Sequence, residues 1–196
     1  MTKPRAAAKA SRAPPLATRM KRLKLLAMDV DGVLTDGTIL LSETGEELKG
    51  FFSRDGIGLK SLHLAGLHSA FVTARGSPAV TRRANELGVR DVVLNSSNKG
   101  EALRELCAKR GVALDESAFV GDDLQDLPAM VAAGVAFAVS GAPEEVRARA
   151  DVTTRARGGE GAVREVIDRI LKSQGKFAAV LRHFLEQTNG RPEGSA

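Results

Sequence analysis

The chain has 196 residues, 43% hydrophobic and 27% charged, the values of an ordinary globular domain, which excludes wholesale disorder and a membrane protein. No apolar run approaches the ~20 residues that span a bilayer, and a single cysteine, Cys107, excludes an internal disulfide framework or a cysteine-only zinc cluster. The net charge of +5 belongs to one end: residues 1–24 carry eight Lys or Arg and no acid, leaving a body with 21 basic and 24 acidic residues.

Residues 1–22 are rich in Ala, Arg, Lys and Pro and lack the apolar stretch of a secretory signal. Their composition overlaps that of transit peptides; the expectation is a disordered basic tail. An apolar run over 23–30 stops at Asp29-Val30-Asp31-Gly32, as a buried parallel strand does. Segments 38–41 and 47–52 flank Glu43-Thr44-Gly45 and predict a hairpin. A helix is predicted over 56–64 and a strand over 68–73. Ser77, Pro78 and Gly88 mark the N-cap, first residue and stop of a helix over 78–87. Strands follow at 91–94, 118–120 and 135–139. Helices are expected at 99–109, 125–132, 144–149 and 162–172, with a last amphipathic one at 176–187. Residues 188–196 are polar and are expected to form a flexible tail.

Alternating strands and helices predict an α/β fold over 23–187: a Rossmann-like, doubly wound, mainly parallel sheet with a hairpin inserted after the first strand. The intervals from Asp29 to Thr73 and from Thr73 to Lys99 are too short for a cap domain of ~50 residues.

Ligands of such folds bind beyond the carboxyl ends of the strands. There the sequence places Asp29 and Asp31, then Thr73 with Arg75, then Lys99, then Gly121-Asp122-Asp123 with Asp126 close behind. Crowded carboxylates repel one another and resist desolvation, and a hard divalent cation answers both. Asp29, the Asp31 carbonyl and Asp122 would hold Mg²⁺, with Asp123 and Asp126 supporting them. Asp29 is placed to attack phosphorus and Asp31 to protonate the leaving oxygen. Thr73 would bond the phosphoryl oxygens, and Lys99 would neutralise their charge. Each residue alone has a bland reading as a turn, a helix cap or a solvated lysine. Four in order, each at a strand end, do not.

Gly158-Gly159-Glu160-Gly161 before a helix is either a phosphate cradle or a structural entry loop. His63, His68 and His183 read as surface or packing residues, and Cys107 as a packed thiol. An acidic body without Trp or Tyr does not suit nucleic-acid binding.

These residues resemble the haloacid dehalogenase superfamily of aspartate-nucleophile phosphatases. Asp29 to Gly37 is similar to its first motif, Thr73 to its second, Lys99 to its third and Gly121 to Asp126 to its fourth. Longer strings, including RDGIGLK at 54–60, TARGSPAV at 73–80 and GGEGAVREV at 158–166, are similar to its sugar-acid phosphatases. Two positions depart from the pattern: Ala74 stands where Gly is usual, and Asn98 where Asp is common. The resemblance implies a cytoplasmic Mg²⁺-dependent phosphatase acting through an aspartyl-phosphate, in lipopolysaccharide precursor synthesis. It implies an eight-carbon sugar-acid phosphate as substrate, with a nine-carbon one as the alternative, and a homotetramer whose neighbouring chains cover the site. Arg75 and Arg83 are assigned to the substrate's carboxylate, whose geometry suits a guanidinium fork. A phosphatase-like regulatory module is the rival class. The complete set Asp29, Asp31, Thr73, Lys99 and Asp122 argues against it.

Overall fold

The structure, a computed structural model, describes residues 14–186. The central sheet has six strands: β1 (Leu25–Met28), β4 (His68–Val72), β5 (Asp91–Val93), β6 (Ser117–Gly121), β7 (Val135–Ala138) and β8 (Val152–Thr153). Their order is β5-β4-β1-β6-β7-β8 and every pairing is parallel. All four residues of β1 are buried, as expected of a strand covered on both faces.

The chain winds outward from β1 to β4 and β5, then returns to β6 on the other side of β1 and continues to β7 and β8. That reversal puts the topological switch point at β1. Met28 is level with Phe71 of β4 and with Val120 of β6. The residues just past these strands therefore emerge together on one rim, and Asp29, Thr73 and Asp122 are among them.

Helices α2 (Ser53–Leu64), α3 (Pro78–Leu87), α4 (Lys99–Arg110), α5 (Leu127–Ala132), α6 (Glu144–Arg147) and α7 (Ala162–Ser173) flank the sheet. In α7 the buried residues are Ala162, Val163, Val166, Ile167, Ile170 and Leu171, one stripe at helical spacing. Phe71, Phe119 and Phe137 are fully buried in the core, each worth about 1.5–3 kcal/mol of hydrophobic burial. α8 (Phe177–Glu186) ends the described chain. The predicted tail 188–196 lies outside the described residues.

Several expectations need correction. The 1–22 segment is not all tail. Residues 1–13 lie outside the described range, but Leu16–Arg22 is a helix, α1, with Met20 buried. Arg19 donates to the Gly134 carbonyl at 2.8 Å and pairs with Asp151, while Arg22 and Lys24 reach Asp115 and Glu116 at 2.9 and 2.8 Å. The Gln174 amide bonds the carbonyls of Met20 and Leu23. Only Leu16 and Met20, one turn apart, carry α1's apolar contact, too short a pattern to stand out from its basic surroundings.

Ser77 precedes α3, but its side chain makes no capping hydrogen bond. Asn98 does cap α4, accepting from the backbone N–H of Gly100 and Glu101 at 3.1 and 3.2 Å. β8 was too short to predict, and the segment before α5 begins as a 3-10 turn, Leu124–Asp126. The hairpin consists of β2 (Leu40–Leu41) and β3 (Glu47–Leu48).

Candidate active site

β1 delivers Asp29 directly into the rim, and Asp29 N–H still bonds the Val120 carbonyl at 3.0 Å. The chain then turns sharply. The N–H groups of Val33, Leu34 and Thr35 all point at the Val30 carbonyl. The Thr35 hydroxyl accepts from Gly32 and Gly37 at 3.4 and 3.2 Å, which ties the turn together. Gly32 has φ +88°, and a Cβ there would lie 2.0 Å from Asp122 Oδ2. Only glycine lets the two motifs approach this closely.

The Gly158–Gly161 loop packs against the other side of the same turn. A Cβ on Gly158 would stand 1.7 Å from the Gly32 carbonyl oxygen. Gly159 N–H is already spent on the Val33 carbonyl at 3.0 Å. Of its two readings, the structural one holds: the loop buttresses the turn that carries Asp29 and Asp31.

Lys99, the first residue of α4, is 2% exposed. Its ammonium is 2.8 Å from Asp29 Oδ1 and 2.6 Å from Asp126 Oδ1. Burial acts to lower its pKa, but the Asp126 and Asp29 carboxylates outweigh burial and raise it, so it stays a cation. Asp126 spends its other oxygen on the N–H groups of Asp122 and Asp123, at 2.9 and 3.2 Å. Asp123 caps the next turn through Leu124 N–H at 2.7 Å. Asp126 therefore has both of its oxygens engaged, whereas Asp123 stands exposed.

Asp29, Asp122 and Asp126 each bring a carboxylate oxygen within 4.8 Å of the others. Burial, with the charges of Asp126 and Asp29, pushes the Asp122 carboxyl up to about 8. Burial and Asp126 push Asp29 up to about 6 against the pull of Lys99. Asp29 Oδ2 and Asp122 Oδ1 are buried and without a hydrogen-bond partner. Two buried, unsatisfied oxygens on neighbouring carboxylates are what a hard divalent cation would satisfy, and these residues fit Mg²⁺.

Thr73 is buried past the end of β4, and its hydroxyl oxygen accepts from Arg75 N–H at 3.1 Å. Asp31 faces the hairpin, where its carboxylate pairs with Lys49. The Arg75 guanidinium bonds Glu47 Oε2 at 2.8 Å. Arg83 bonds Glu86 at 3.2 Å and lies over the Phe51 ring; neither contact joins it to the carboxylate cluster.

The sequence reading missed Thr35, Glu47 and Lys49. Thr35 lies inside the Asp29–Gly37 motif, where a threonine by itself signals no role. For the other two the signal was the alternation Glu47-Leu48-Lys49: a strand with charges on one face and an apolar residue on the other. A groove of about 620 Å³ between the start of α2 and α7 is lined by none of the predicted site residues.

A model of the haloacid dehalogenase-like hydrolase family matches residues 78–167. The 3-deoxy-D-manno-octulosonate 8-phosphate phosphatase of Haemophilus influenzae is 40% identical over 158 residues, 81% of this chain and 88% of that protein. Its Escherichia coli K12 counterpart is 42% identical over 159 residues, 81% and 85% of the two chains. The crystal structure of the Moraxella catarrhalis phosphatase of that name, in complex with magnesium, phosphate and KDO, superposes with a TM-score of 0.84 at 43% identity, covering 86% of this chain and 97% of that one. The cobalt-bound Haemophilus influenzae structure gives 0.79 at 40% identity, covering 81% and 92%.

Proposed function

The chain belongs to the haloacid dehalogenase-like hydrolases, and from that premise we propose that it is a Mg²⁺-dependent phosphatase cleaving 3-deoxy-D-manno-octulosonate 8-phosphate to the free sugar acid and phosphate. The observation that carries the reading is the Lys99 bridge between Asp29 and Asp126, with open oxygens left on Asp29 and Asp122.

In this mechanism Asp29 attacks phosphorus and becomes an aspartyl-phosphate, and Asp31 gives a proton to the departing sugar-acid oxygen. Asp31 then takes a proton from the water that hydrolyses the acyl phosphate. Lys99 holds one oxygen of Asp29 in place, and the Thr73 hydroxyl donates to a phosphoryl oxygen. Mg²⁺, held by Asp29 and Asp122 with the Asp31 carbonyl, supplies positive charge against the phosphate. Arg75 receives the substrate's carboxylate.

Arg83 is part of the same proposal as a second ligand of the substrate's carboxylate. The hairpin supports a homotetramer, because it exposes Ile39, Leu40, Leu41 and Leu48, with Leu41 68% accessible. A cytoplasmic location completes the reading. Among the described residues no helix is long and apolar enough to cross a membrane.

The test is phosphate release from a panel of eight-carbon and nine-carbon sugar-acid phosphates, with and without Mg²⁺. Highest kcat/KM on the eight-carbon substrate, lost on chelation, is expected. Preference for the nine-carbon substrate, or metal-independent turnover, would overturn it.

A further inference from the structure

The hairpin reaches the site through its charged face. Glu47 Oε2 accepts from Arg75 Nη2 at 2.8 Å, and Lys49 Nζ stands 2.6 Å from Glu47 Oε1. The same Lys49, its side chain only 2% exposed, pairs with Asp31. Arg75, Glu47, Lys49 and Asp31 thus form one line in which basic and acidic side chains alternate, from the residue assigned to the substrate's carboxylate to the proton-transfer group. Both cations beside Glu47, Lys49 first and then Arg75, hold its carboxyl below the usual range, so it is an anion.

The Arg75 guanidinium therefore already holds a carboxylate. We propose that Glu47 is a resident competitor for Arg75, which the carboxylate of a sugar-acid substrate must displace, and that this exchange makes Glu47 a specificity-determining residue. The inference rests on the reading of Arg75 as the substrate-carboxylate ligand.

The exchange is chemically balanced. One carboxylate replaces another on the same guanidinium, so charge at Arg75 is conserved. The displaced Glu47 is not stranded, because Lys49 continues to neutralise it. A phosphate ester without a carboxylate has nothing to offer Arg75 and leaves the pair closed. Glu47 thus weakens binding of the correct acid somewhat and withholds Arg75 from neutral sugars, which is discrimination by a competing interaction.

The test is a double-mutant cycle on affinity, reading the Kd of the free eight-carbon sugar acid by calorimetry on the Mg²⁺-loaded protein. The four proteins are wild type, Glu47→Gln, Arg75→Ala and the double variant. Glu47→Gln keeps the size and removes the charge. It should tighten binding about twofold to fivefold, the scale of a part-exposed ion pair. In the Arg75→Ala background the same change should do nothing. Unchanged or weaker binding in Glu47→Gln, with Arg75→Ala still weakening it, overturns the competitor role alone. Binding unaffected by Arg75→Ala overturns the reading of Arg75 and the inference with it.

Discussion

The ammonium of Lys99 lies 2.6 Å from Oδ1 of Asp126, and both side chains are sealed from water. Asp29 and Asp122 share the cluster, so one cation faces three carboxylates. The balance is two negative charges, the charge of one divalent ion. Burying such an excess is costly, and the chain meets the cost by holding protons or a metal.

Asp29→Asn should therefore separate chemistry from folding. The amide keeps the shape but loses the nucleophile and a metal charge. Phosphate release should fall at least about a thousandfold, while the urea midpoint of the metal-free protein stays level or rises. Turnover near the wild-type rate would refute the nucleophile.

Stability should depend on pH with a sign opposite to that of a salt-bridged acid. The Asp122 and Asp29 carboxyls are raised to about 8 and about 6, so between the ordinary carboxylate pKa and about 8 the native state binds more protons than the unfolded chain. Metal-free stability then falls as pH rises through that window. Urea midpoints in EDTA at pH 5.5 and 8 measure it, and Asp122→Asn should flatten the slope. Mg²⁺ competes with those protons, so its stabilising effect should be larger at pH 8.

Trimming the N-terminus should divide at α1. A deletion ending at residue 13 is expected to leave the unfolding midpoint unchanged. One ending at residue 22 removes the buried Met20 and the Arg19 contacts with Asp151 and Gly134. It should cost about 2–3 kcal/mol, the value of one buried apolar side chain plus a part-exposed pair. Equal stability of the two truncations would show that α1 contributes nothing.

Arg75→Glu should cut kcat/KM on the eight-carbon sugar-acid phosphate by at least about tenfold, since it sets a carboxylate against the substrate's own. Hydrolysis of 4-nitrophenyl phosphate should change far less. Equal losses on both would assign Arg75 to the phosphoryl group or to the fold.

Replacing Leu41 and Leu48 by Asp should yield smaller species in light scattering. The same species should lose selectivity for the sugar acid before they lose activity on small esters. A wild-type chain that runs as a monomer yet remains selective would refute assembly through the hairpin.

The sheet and the cluster of Asp29, Lys99, Asp122 and Asp126 at its strand ends were legible because they depend on local pattern. Apolar runs ending in Asp29, Thr73 and Gly121 announce strand ends, and the wound topology brings strand ends together. What the sequence hid depends on partners far along the chain. α1 is defined by Asp151, Gly134 and Gln174 rather than by its own periodicity. The charges of Glu47 and Lys49 acquire meaning only when the hairpin folds over Asp31 and Arg75. Asn98, read as a departure from a motif, proves to be the cap that starts α4 at Lys99.

The contact of Gly158 with Gly32 also sets an order of events during synthesis. The turn bearing Asp29 and Asp31 leaves the ribosome early, but its outer wall is a loop made near the end of the chain. Closing so long a segment is entropically expensive and comes late. The turn carrying Asp29 therefore lacks its outer wall for most of translation, and gains it only when Gly158 and Gly159 dock on Gly32 and Val33.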